Sequence, residues 1–126
     1  MNRTRMLQVL LVVAIVILGV FLWYNLASPL AMWPGEAKEK LKKGEFDAVV
    51  DVRTDAEWKL GHFPLSIHIP TARLATDLPQ RIPDKSARIL FYCNTSTRSR
   101  VAAEAAQKLG YPNVRYLVGT HVNLLK

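Results

Sequence analysis

From Met6 to Tyr24 the chain is apolar at every position except Gln8, and beyond it the pattern changes to short apolar runs alternating with amphipathic stretches. As a helix the first run rises about 28 Å at 1.5 Å per residue, enough to cross a bilayer core. Trp23 and Tyr24 close it with amphipathic rings, the residues that favour a membrane interface. Ser28-Pro29 and Trp33-Pro34-Gly35 then mark a linker. The later pattern predicts a helix over Glu36–Lys43, a strand over Ala48–Val52, a helical turn over Asp55–Leu60 and an extended piece over Ser66–Ile69. It continues with a helix near Ala72–Leu78, a strand over Arg88–Tyr92, a helix over Thr97–Leu109 and a strand over Val114–Val118. Ala48-Val49-Val50 and Ile89-Leu90-Phe91 are unbroken apolar runs, as strands covered on both faces require. Strands alternating with helices predict an α/β domain with a small, mainly parallel sheet flanked by helices.

The organisation that follows is an anchor over residues 1–27, a linker over 28–35 and one domain over 36–126. A cleavable signal peptide competes with the anchor, but neither Asn25-Leu26-Ala27 nor Pro29-Leu30-Ala31 offers a good small-residue cleavage site, and an uncleaved transmembrane helix is expected. Arg3 and Arg5 flank the start of the span, whereas Lys38 to Lys43 lie about 14 to 19 residues beyond it. The nearer charges favour a cytoplasmic amino terminus and a translocated domain.

Charge narrows the function classes. The whole chain is +7, and without the two anchor arginines the remainder carries fifteen Lys and Arg against ten Asp and Glu. Glu36–Lys40 and Glu39–Lys43 are i,i+4 pairs in the favourable order, so the one basic stretch reads as a solvated helix ending at Gly44. No basic stripe with stacking aromatics is present, and a nucleic-acid role is not expected. With one cysteine and three scattered histidines there is no metal-ligand spacing, and no cofactor is expected.

That cysteine, Cys93, is the candidate for chemistry. It closes the apolar run Ile89–Tyr92 and opens the polar loop Asn94-Thr95-Ser96-Thr97-Arg98 ahead of a helix. Amides at such a helix start converge on the sulfur and favour the thiolate, although free cysteines are also common buried residues. Val101, Ala105 and Leu109, with Ala102 beside them, predict the inward stripe of that helix. Thr97 is its expected cap, and Gly110 and Pro112 end it.

Two separated stretches resemble the rhodanese-like (sulfurtransferase) domains. One comprises Asp51-Val52-Arg53, Glu57-Trp58, Gly61-His62-Phe63-Pro64 and Ile67-His68-Ile69-Pro70. The other comprises Tyr92-Cys93, four residues, Arg98-Ser99, then Leu109-Gly110-Tyr111 and Val114. The segment from Ile82-Pro83-Asp84-Lys85 to Tyr92-Cys93-Asn94 resembles the small exported phage-shock thiosulfate sulfurtransferases. The resemblance implies a sulfur relay in which Cys93 is the nucleophile, residues Asn94, Thr95, Ser96, Thr97 and Arg98 form the substrate cradle, and no cofactor takes part. The implied partners are a small donor such as thiosulfate and a thiol or cyanide acceptor, with the membrane met through the N-terminal helix. Cysteine phosphatases resemble a loop one residue longer, so the four-residue spacing to Arg98 favours sulfur over phosphate.

Two residues depart from the family pattern. Ser96 stands where glycine is usual, which predicts a strained or differently shaped loop, and Gly119-Thr120 replaces the common Gly-Gly. Ser96 and the uncharged loop Asn94–Thr97 favour the alternative of a non-catalytic binding or sensing module, whereas the intact Cys93-to-Arg98 spacing favours the enzyme. Asp51 with Arg53 reads as an internal ion pair, Glu57 and His62 as holders of the loop after the first strand, and Arg100 as either a second cation at the cradle or a solvent-facing residue.

Overall fold

Five parallel strands in the order β1-β5-β4-β2-β3 form the sheet of the computed structural model, which describes residues 2–26 and 28–125. In chain order the elements are α1 (Arg3–Leu26), β1 (Ala31–Met32), α2 (Pro34–Lys42), β2 (Ala48–Asp51), α3 (Asp55–Leu60) and β3 (Ile67–His68). A 3-10 turn over Thr71–Arg73 leads into α4 (Leu74–Arg81), followed by β4 (Ile89–Cys93), α5 (Thr97–Lys108), β5 (Val114–Thr120) and α6 (Val122–Leu125). The sheet is parallel throughout, where a mainly parallel one is expected from the pattern.

Side chains on β4 alternate between two buried faces. Ile89, Phe91 and Cys93 join Val50, Leu78, Ala102 and Ala106 beneath α4 and α5, while Leu90 and Tyr92 join Met32, Leu117 and Leu124 beneath α2 and α6. Between β2 and β4 the order of strands reverses, because β3 lies outside β2 and the chain then crosses back to β4. Crevices at the carboxyl ends of strands flanking such a reversal are where α/β sheets hold ligands. Cys93 ends β4 at that position.

Three sequence expectations are corrected. Ala31–Met32, inside the expected linker, is an edge strand paired with Tyr116 and Leu117 of β5. Pro34 then opens α2, where its missing N–H has no helical partner to lose. The inward face of α5 is Ser99, Ala102, Ala103 and Ala106, with Ala105 and Leu109 partly buried beside it as expected, but Val101 is 51% exposed. Ser99 faces the Cys93 sulfur, and Val101, two residues on, faces outward. Finally, Thr97 does not cap α5; the N-cap is Ser96, with no side-chain capping bond.

Helix α1 is apolar on all sides from Met6 onward, and the stretch from Arg3 to Tyr24 is long and apolar enough to cross a membrane, with none of its side chains buried. Side chains from Met6 to Tyr24 stand exposed to an extent that water does not tolerate in a contiguous patch.

Candidate active site

The Cys93 sulfur sits between the end of β4 and the first turn of α5, with no exposed surface. The Ser99 N–H donates to Sγ at 3.4 Å, the thiol faces Ser99 Oγ at 3.4 Å, and that hydroxyl donates onward to the Ser96 carbonyl at 3.0 Å. The contacts of the thiol therefore come from Ser99, beyond the cradle of residues 94–98 expected from sequence. Amides in the first helical turn have no acceptor inside the helix, which leaves the start of α5 rich in donors above the sulfur.

Ser96 holds the turn of the loop at φ 75°, a left-handed conformation that among the described residues no other non-glycine residue adopts. The loop thus keeps a glycine-like shape despite the missing glycine. Its hydroxyl offsets the cost, because Ser96 Oγ accepts from the Gly119 N–H at 2.6 Å. Ser96→Ala retains the strain and loses this bond, and is expected to destabilise the protein by about 1 kcal/mol. Ser96→Gly loses the bond but removes the strain, and its unfolding midpoint should stay near that of wild type. Denaturant titration of the two variants side by side measures the difference; equal losses would mean that strain is not what Ser96 carries.

Glu57 closes the loop from outside. Thr54 and Glu57 form a reciprocal capping box at the start of α3. The same carboxylate accepts from both terminal nitrogens of Arg98, at 2.6 and 2.9 Å, and from Asn94 Nδ2 at 2.7 Å. One acidic side chain on α3 therefore ties together the two ends of the loop, and Arg98 acts as a brace. Thr95 and Thr97 are exposed between these tethers.

The Arg98 guanidinium, opposed by partial burial and helped by Thr54, lowers the Glu57 carboxyl from 4.5 to about 2. A carboxylate depressed in the folded state contributes stability that is fully present above its unfolded value and is lost as pH falls through the folded one. The tie should therefore hold at neutral pH, weaken below about 4.5 and be gone near 2. Side-chain NMR signals of Asn94 and Arg98 are expected to shift together with an acid midpoint near the lower value, and Glu57→Gln should show the released positions already at neutral pH. Independent transitions for the two side chains would contradict a shared tether.

A second polar network lies behind β2 and β4. Arg53 grips Asp51 through Nε, at 3.0 Å to both oxygens, and through Nη2 at 2.7 Å, and also donates to the Gly61 carbonyl at 2.6 Å. Both residues are buried, so the pair is internal, as the sequence suggested. Beside it Tyr92 OH accepts from the Phe63 N–H at 3.0 Å and meets Ser66 Oγ at 3.0 Å. Burial pushes the Tyr92 phenol up to about 12. His121 stacks obliquely on Tyr92 at 5.1 Å, and burial, then the Arg53 charge, hold its imidazole below the usual range. Trp58 is sandwiched between His62 and His68 at ring distances of 3.3 and 4.8 Å, so the conspicuous aromatic of the first motif supports the α3 loop.

Of the residues expected at the site, Cys93, Asn94, Ser96 and Arg98 are held in one network by Ser99 and Glu57, while Thr95 and Thr97 make no hydrogen bond to the sulfur. Ser99 left a faint signal, a hydroxyl among the alanines of the inward helical face. Arg100 belongs to neither expected environment, since its side chain turns away from the cradle and is 10% exposed.

A profile of the rhodanese-like domain family matches residues 34–122. The chain is 31% identical over 101 residues to an adenylyltransferase and sulfurtransferase of Candida albicans, across 68% of this chain and 23% of that protein. It is 31% identical over 74 residues to a tRNA uridine(34) hydroxylase of Erwinia tasmaniensis, across 56% of this chain and 21% of that one. The chain spans less than a quarter of the length of either relative. Among solved structures, a human single-domain sulfurtransferase superposes with a TM-score of 0.66 at 23% identity, covering 78% of this chain and 96% of that one. The rhodanese-like domain of an Anabaena protein gives 0.67 at 22%, covering 78% and 74%. At these identities the superpositions speak for the fold.

Proposed function

The chain belongs to the rhodanese-like domain family, and from that premise we propose that it is a membrane-anchored sulfurtransferase working through a persulfide on Cys93. The observation that carries this reading is the seat of the sulfur, at the end of a central strand beneath a donor-rich helix start, with the Ser99 N–H on Sγ. In the first half-reaction the Cys93 thiolate attacks the outer sulfur of a donor such as thiosulfate. The S–S bond of the donor breaks, sulfite leaves with its electron pair, and Cys93–S–S⁻ remains. In the second, a nucleophile such as cyanide takes the outer sulfur as thiocyanate and the thiolate returns. Each step is a displacement at sulfur with no net oxidation, so one cysteine suffices. Amides at the start of α5 are suited to both anions, because preorganised donors stabilise developing charge without reorganising. Entry of a donor requires the loop to part from the sulfur, and the Glu57 tether to Asn94 and Arg98 is the contact that yields.

The burial of Cys93 and the engagement of both terminal Arg98 nitrogens by Glu57 favour a second reading, a non-catalytic module that binds or senses a sulfur species. Steady-state thiocyanate formation from thiosulfate and cyanide by the full chain decides between them. Turnover dependent on Cys93 supports the enzyme, whereas binding of donors without turnover supports the module. Cys93-dependent hydrolysis of an aryl phosphate with no sulfur transfer would overturn both. For the anchor, the chain should sediment with membranes and resist carbonate, with the domain on the translocated side; protease protection of the domain in inside-out vesicles would reverse if the topology is opposite.

A further inference from the structure

Arg100 carries a charge one turn into the helix that supports the reactive loop, yet it is only 8% exposed. A buried guanidinium persists where its N–H groups are matched. Nε donates to Glu104 at 2.9 Å, Nη1 donates to the main-chain carbonyl of Tyr24, and the guanidinium lies over the Tyr24 ring at 3.7 Å. Tyr24 is the last residue of the span-length apolar segment. A charge on α5 is thus committed to holding the end of α1, beside a cleft of about 370 Å³ lined by Trp23, Tyr24, Pro29, Arg100, Glu104 and Gln107.

The chain is fixed again directly afterwards. The Leu30 carbonyl accepts from the Tyr116 N–H at 2.9 Å and from Arg115 Nε at 3.2 Å, and Ala31–Met32 joins the sheet. Tyr24 and Leu30 are thus both attached to the domain. The docking point is also close to the chemistry. The Arg100 N–H donates to the Ser96 carbonyl at 2.9 Å, so a single hydrogen-bonded turn joins the latch to the strained loop residue. That turn is about 6 Å of helix rise. With α1 across a bilayer, Trp23 and Tyr24 would lie at its surface, where aromatic rings concentrate, and the loop would stand within on the order of 10 Å of the headgroup layer. Val101, next to Arg100, leaves an apolar side chain half exposed there.

Resting on the sulfur-transfer reading, we propose that the acceptor is a membrane-partitioned thiol, carrying an apolar chain, that meets the Cys93 persulfide at the bilayer surface, with the Arg100–Tyr24 contact as the latch that keeps the loop there. Thiosulfate is a dianion that stays in water, so the apolar interface serves the other partner. The thiol sulfur of the acceptor attacks the outer sulfur of Cys93–S–S⁻. The bond between the two persulfide sulfurs breaks, its electron pair returns to Cys93 as thiolate, and the thiol proton ends on the product persulfide R–S–SH.

The test uses the full chain in phosphatidylcholine vesicles with thiosulfate as donor, comparing a long-chain alkyl thiol with a short hydroxyalkyl thiol at equal total concentration. Two variants free the loop from the span: Arg100→Ala, and an insertion of about ten Gly/Ser residues between Leu22 and Trp23, which leaves α5 and the Arg100–Tyr24 contact in place but uncouples both from the span, should the first not fold. The wild-type ratio of long-chain to short-chain rates is expected to exceed that of either variant by about tenfold, since holding the loop at the surface raises the effective acceptor concentration. Thiocyanate formation from thiosulfate and cyanide should be the same in all three proteins. Equal thiol ratios in wild type and the insertion variant, with thiocyanate formation intact, would overturn the latch alone. Absence of thiocyanate formation throughout would overturn the sulfur-transfer reading and this inference with it.

Discussion

Cys93→Ser is expected to reduce sulfur transfer by about three orders of magnitude or more, because no second thiol exists in the chain to carry the sulfur. The fold should survive the change. The serine hydroxyl fits the space of the thiol and faces the same Ser99 hydroxyl, so the cost of burying it stays within about 1 kcal/mol. A steady-state assay paired with an unfolding curve separates the two effects. Loss of activity with an unchanged midpoint assigns Cys93 to chemistry; transfer that persists in the variant would remove it from the mechanism.

Asp51→Ala is expected to give the largest loss of stability, about 3–5 kcal/mol, by leaving the Arg53 guanidinium buried without its counter-charge. Against a typical domain stability of about 5–15 kcal/mol, that is a large fraction of the total. The Arg53 bond to the Gly61 carbonyl would be strained as well, loosening the segment that carries α3 and its Glu57 tether. The double change Asp51→Leu with Arg53→Met removes both charges and should recover much of the loss, because an apolar pair of similar volume avoids the desolvation cost. Urea midpoints of the single and double variants measure this. A double variant no more stable than Asp51→Ala would show that the network serves packing rather than charge compensation.

The strand, loop and helix around Cys93 were legible in the chain because the hydrophobic period changes there, from the continuous run Ile89–Tyr92 to a polar loop and then to a helical pattern. Other features depend on contacts that no local pattern encodes. Alanine is nearly indifferent to burial, so hydrophobicity singled out Val101, which is exposed, together with Ala102, Ala105 and Leu109, which do pack inward, and passed over Ala103 and Ala106. A strand of two residues is too short to display alternation, and the edge strand Ala31–Met32, between Pro29 and Pro34, lay hidden in apparent linker. The spacing Thr54-x-x-Glu57 announces a helix cap, yet the second duty of Glu57 depends on Arg98, 41 residues away. Arg100 meets Tyr24 across 76 residues, through a contact between α1 and the domain. Ser96 is the instructive case, since the missing glycine correctly signals strain while the bond from Gly119 that makes the strain tolerable arises from the end of β5.

Mass spectrometry of the intact chain after incubation with thiosulfate should show a single added sulfur on Cys93, stable until cyanide is supplied and then released as thiocyanate with return of the original mass. A chain that stays unmodified with thiosulfate and with other sulfane donors, while remaining folded, would contradict the persulfide mechanism and leave the binding module in its place.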